Sequence, residues 1–99
     1  MVNVGDRVGA ILSSSNGVAE FIGYGVYQGR EVPSEDAVGM GKNLRKLEIP
    51  NPKILLDSGS VVYGYECWWG PEEGVKKELA KMKEVKKVEM SDVRREWTE

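Results

Sequence analysis

The chain has no histidine among its 99 residues. That absence excludes Ser-His and Cys-His nucleophilic pairs and histidine-based metal chemistry within a single chain. Cys67 is the one cysteine, so no internal disulfide forms, and a free thiol fits a reducing compartment. No apolar run approaches the roughly 18 residues a membrane-spanning helix needs. Met1 to Asp6 lacks the basic and apolar regions of a signal peptide, so the expectation is a cytoplasmic protein without a membrane partner. An excess of positive charge is missing too. Lys and Arg number 14 against 16 Asp and Glu, for a net charge of -2. A general phosphate-backbone binder is usually basic.

What is present belongs to one small globular domain spanning residues 1–99. Apolar residues make up 40% and charged residues 30%, too apolar for a disordered chain, and the length leaves no room for a second core. Composition changes along the chain. Eleven of the twelve glycines lie in the first 70 residues, whereas 16 of the 30 charged residues lie in the last 29. A turn-rich β region followed by a charged helical segment is expected.

Arg7 to Leu12 suits a first strand, and the Ser13–Gly17 cluster turns the chain. Val18 to Gln28 reads as a long second strand with aromatics on both faces. Glycine inside a strand is costly unless the sheet bends or another backbone comes close, so Gly23 and Gly25 imply a coiled, barrel-like strand. Residues 29–52 form a long loop, with a short edge strand at Leu47–Ile49. Lys53–Asp57 and Val61–Trp69 read as a hairpin around Asp57-Ser58-Gly59-Ser60. Alternation then puts Val61, Tyr63, Tyr65, Cys67 and Trp69 on the core face, with Val62, Gly64, Glu66 and Trp68 opposite. Pro71 with Glu72 and Glu73 starts an amphipathic helix expected over 71–83. A closing strand follows near 86–90, and Ser91 or Asp92 caps a C-terminal turn over 91–99.

About five short strands with a long curled second one, opening on Val4-Gly5-Asp6-Arg7-Val8, resemble the SH3-like small β-barrels. The resemblance covers about residues 4–69. It implies a mainly β (α+β) fold: a five-stranded barrel core over 4–69 with one amphipathic helix after strand four. It also implies binding of peptides, proteins or nucleic acids. The long loop and the full helix depart from the usual pattern.

Residues fit for catalysis are few. Cys67 reads as a buried strand thiol, and Glu66 beside Trp68 as a solvated or hydrogen-bonded carboxylate. Gly39-Met40-Gly41-Lys42 lacks the spacing of a phosphate loop. No metal-ligand spacing occurs, no cofactor is expected, and the chain does not read as an enzyme. Seven of the eight aromatics fall in two strands, more than so small a domain easily buries. The expectation is therefore a non-enzymatic interaction module, accessory or regulatory, binding a protein or peptide through an aromatic groove of Trp68, Glu66, Tyr24 and Tyr27. The alternative is a nucleic-acid-binding barrel using Arg30, Lys42, Arg45, Lys46 and Lys53 with exposed aromatics. Strand edges leave a homo-oligomer open.

Overall fold

The computed structural model describes residues 2–34 and 40–98. The elements are β1 (Arg7–Ser15), β2 (Val18–Glu31), α1 (Met40–Lys46), β3 (Asn51–Leu56) and β4 (Val61–Tyr63). After a 3-10 turn over Gly64–Glu66 come β5 (Trp68–Pro71), α2 (Glu72–Ala80), β6 (Glu84–Lys87) and α3 (Met90–Thr98).

The strands form one mainly antiparallel sheet in the order β4-β3-β2-β1-β5, with β6 added parallel to the start of β2. β1 and β2 are joined by Asn16-Gly17, both at positive φ, the pair that a tight two-residue hairpin turn demands. Gly59 holds φ +95° in the β3–β4 turn. The outer strands β4 and β5 are consecutive in the chain yet lie at opposite edges of the sheet. Residues 64–67 alone join them. A flat five-stranded sheet would hold its edges roughly 19 Å apart. A link built mainly of 3-10 turn covers no more than about 13 Å. The sheet must therefore curl. Among the described residues it does not close, because β4 pairs with β3 alone and β5 with β1 alone.

The core lies inside the curl. Val8, Ala10, Ile22, Ile54, Leu56, Val62, Met90 and Val93 form its buried cluster, with Tyr27, Cys67 and Trp69 packed against it. On the outer face, α2 lies over β1 and buries Val75 completely. Gly9 makes this approach possible, since a Cβ there would meet Val75 Cγ1 at 2.9 Å.

Several expectations need correction. The fold is mainly β, but among the described residues the sheet is open with six strands, and three helices accompany it rather than one. The helix expected over 71–83 follows β5 and ends at Ala80. No strand forms at Leu47–Ile49, because part of the long loop winds into α1. That helix ends with Glu48 at φ +54°, where Ile49 N–H donates to Leu44 O and Glu48 N–H to Arg45 O. These paired bonds are a Schellman cap, usually built on glycine. The turn expected over 91–99 is α3, whose Met90 and Val93 enter the core. The closing strand begins at Glu84 and lies parallel to β2. Glu35 to Gly39, part of the loop singled out above, lie outside the described residues.

Arg7 ties three elements together. Its guanidinium donates to both oxygens of Asp57, each at 2.7 Å, and to Glu72 Oε2 at 2.8 Å. The hydrogen bond from Arg7 lowers the pKa of Asp57, and it lowers that of Glu72 with further help from Lys76. A carboxylate whose pKa is depressed by folding stabilises the fold above its ordinary range, and that contribution is lost on acidification. Arg7→Ala is therefore expected to lower Tm at neutral pH. The gap from wild type should narrow as pH falls from about 6 to about 3, which calorimetry at stepped pH measures. A constant gap would show that the ion pairs contribute nothing. No helix among the described residues is long and apolar enough to cross a membrane.

Candidate functional site

Trp68 opens β5 at the edge of the sheet. Its Cα partner across the pair is Ile11 of β1. The indole is 55% exposed, unusual for so large an apolar group on a strand. Beside it lies a cavity of about 180 Å³ lined by Ile11, Ser13, Ser14, Trp68, Glu78 and Met82. Its floor is the outer face of β1, and its far wall is the last turn of α2 with the residues just beyond. The arrangement is an apolar notch rimmed by hydroxyls and one carboxylate.

The other residues of the expected groove do not join Trp68. Glu66 is buried, because the 3-10 turn breaks the strand after Tyr63 and swings its side chain inward. There Arg94 of α3 binds it through two bonds of 2.6 Å, from Nε to Oε2 and from Nη2 to Oε1. Tyr63 N–H also donates to Oε1 at 3.0 Å, and Arg94 Nη2 donates to Val61 O at 2.8 Å. Glu66 is thus a structural tie and not a partner-facing acid. Tyr27 stacks on Trp69 with ring centroids 5.2 Å apart. Tyr24 packs edge-on against Phe21 at 4.8 Å, with Lys76 of α2 over its ring. Both tyrosines are engaged within the fold. Gly64 packs against Trp69 and Pro52 rather than making a notch beside Trp68. The same turn breaks the expected alternation, so Val62 is fully buried in the core.

The basic set separates as well. Lys53 pairs with Glu31 at 3.0 Å, and Arg30 donates to Pro50 O at 3.3 Å. Arg45 donates to Pro33 O at 3.2 Å. Lys42 and Lys46 are exposed on α1. Cys67 is half-buried, and desolvation, aided by nearby Glu66, pushes its pKa up to about 12. A thiol held protonated at neutral pH is a poor nucleophile. Among the described residues no cluster of acidic or cysteine side chains could hold a metal ion.

Sequence reading missed a second feature. Across β1 from the Trp68 notch lies a cavity of about 440 Å³ between the β1–β2 hairpin and α3. Trp97, 45% exposed, lines it with Leu12, Val88 and a set of carboxylates. The signal was available, since Met90, Val93 and Trp97 recur at helical spacing. No family model, characterised protein or solved structure matches the chain.

Proposed function

We propose that the protein is a small non-enzymatic interaction module of the cytoplasm, an accessory or regulatory factor that binds a protein or peptide at Trp68. The observation that carries this reading is the exposed indole on a sheet edge above an apolar notch. Exposed tryptophan beside a small cavity is the usual anchor of a protein interface. The curled sheet, open but with its edges joined by one short turn, supports kinship with the SH3-like folds rather than a closed barrel. The chain's two groups best suited to chemistry favour a non-catalytic role, since Cys67 is held protonated and Glu66 is bound by Arg94. The nucleic-acid reading has less support, because Lys53 and Arg30 are turned to partners within the fold.

Trp68→Ala tests the proposal. An exposed side chain contributes little to stability, so the variant is expected to stay within about 1 kcal/mol of wild type. Binding should fall by tenfold or more, the loss of about 2 kcal/mol that an interface anchor typically causes. Wild type and variant would be compared in a pull-down from nuclease-treated host lysate, with circular dichroism as the folding control. Retention of the same partner by Trp68→Ala overturns the reading. So does nucleic-acid binding that weakens steeply with salt and leaves no captured protein after nuclease.

A further inference from the structure

We propose that the free edge of β1 beside Trp68 accepts an extended basic segment of a partner protein as an added strand, with an arginine or lysine of that segment seated against Trp97. The proposal rests on the reading of Trp68 as a contact site and names the chemistry of the partner.

The first observation is the pairing. β1 pairs with β2 to its last residue, but with β5 only from Val8 to Ile11. Past Ile11, the β1 edge facing away from β2 has no strand beside it among the described residues. Ser13, Ser14 and Ser15 are exposed there. Such an edge presents unpaired N–H and C=O groups, and natural proteins usually guard it with lysine, proline or a cover. Here the edge carries three neutral serines. Strand addition takes its affinity from main-chain hydrogen bonds and its specificity from pockets that receive alternate side chains.

The second observation is that such pockets flank this edge. The Trp68 notch lies on one face of β1 and the Trp97 cleft on the other, and Ser13 lines both. The register shift between Ile11 and Ser13 turns the strand at this lip. Neighbouring side chains of an added strand point to opposite faces. One would enter the apolar notch, and the next would enter the cleft.

Charge then selects the occupant. Glu20, Glu89, Asp92 and Glu96 line the Trp97 cleft; Lys87 pairs with Glu89 at 3.5 Å, Arg95 pairs with Asp92 at 2.8 Å, and Glu20 accepts from Ser13 Oγ at 2.6 Å. Glu96 has no ion-pair partner among the described residues. An exposed indole beside Glu96 and Glu20, neither of which has a cation partner among the described residues, favours a guanidinium or ammonium, through the ring face and through charge. An aliphatic residue suits the notch of Ile11, Trp68 and Met82. The ligand is therefore a strand in which aliphatic and basic residues alternate.

The probe is the capped peptide Thr-Val-Arg-Val-Arg-Val-Thr, titrated into the labelled full-length protein and followed by amide and indole NMR. Expected are shifts at the amides of residues 12–15 and at both the Trp68 and Trp97 indoles. Glu96→Lys should weaken binding by about fivefold and reduce its salt sensitivity. Replacing each valine of the peptide by proline should abolish binding, since proline removes backbone donors and the extended pairing. Absence of binding by the arginine peptide overturns the proposal. So does binding that leaves residues 12–15 unmoved, or self-association that fills this edge without peptide. Replacing the arginines by glutamate separates the two failures. If only the glutamate peptide shifts Trp68, this inference fails while the contact site stands. If neither peptide moves Trp68, this inference fails, and the Trp68→Ala pull-down alone decides the contact site.

Discussion

Arg94→Ala is expected to destabilise the domain by roughly 3–5 kcal/mol, the usual cost of removing one partner from a buried ion pair. The Glu66 side chain is wholly inaccessible, and both its oxygens accept from Arg94. Without the guanidinium, a carboxylate stays buried with Tyr63 N–H as its one remaining described donor. Small domains are stable by only about 5–15 kcal/mol, so the variant should sit close to unfolding at ambient temperature. Glu66→Ala should lose less, because Arg94 is part-exposed and keeps its bond to Val61 O, although Tyr63 N–H loses its acceptor. The double variant Glu66→Gln with Arg94→Met provides the check. Glutamine still accepts from Tyr63, no charge remains buried, and methionine fills much of the volume. Urea unfolding should therefore find it more stable than Arg94→Ala. A double variant no more stable than Arg94→Ala would show that the stranded carboxylate is not what destabilises the single change.

The tie explains why the chain turns where it does. Glu66 anchors the 3-10 turn that bridges β4 to β5, and Arg94 lies on the helix that plugs the curled sheet. One ion pair thus fixes the link between the two edge strands against the C-terminal helix. That link sets where β5 begins, and so where Trp68 stands.

Local chemistry was legible in the sequence wherever it acts alone. Asn16-Gly17 marked the first hairpin, Gly59 the second turn, and Pro71 with its two glutamates the start of α2. Gly23 and Gly25 signalled a curled second strand. Long-range partners were not legible. The run from Val61 to Trp69 alternates like a strand, and nothing near Glu66 announces a guanidinium 28 residues further on. α1 hid because its stop is Glu48 in the left-handed region rather than glycine. The expected edge strand at Leu47–Ile49 was a misreading of that cap. In the site, Trp68 was legible as a tryptophan with no obvious room in the core. Tyr24 and Tyr27 were not, because ring partners within the fold are set by curl and register. Trp97 was overlooked because the last residues were read as a turn, although their apolar spacing is helical.

The second large effect belongs to Gly25. A Cβ built there would meet Leu56 Cα at 2.8 Å and lie closer still to Leu55 O. Both are backbone atoms of the neighbouring β3, paired directly with β2 at Gly25 and Val26. Rotation of a side chain cannot relieve that contact, so the two strands must part. Overpacking of a core costs about 1–3 kcal/mol, and here the strain falls on a ladder at the centre of the sheet. Gly25→Ala should therefore lose about 3 kcal/mol or more, seen as a Tm lower by roughly 12 °C or more. Gly74→Ala is the contrasting change. Nothing lies within 4 Å of a Cβ there, and the residue is in α2. Alanine should stabilise that helix by about 0.5–1 kcal/mol. The two substitutions add the same methyl group and are expected to move Tm in opposite directions. A stable Gly25→Ala protein would mean that β2 and β3 do not approach this closely.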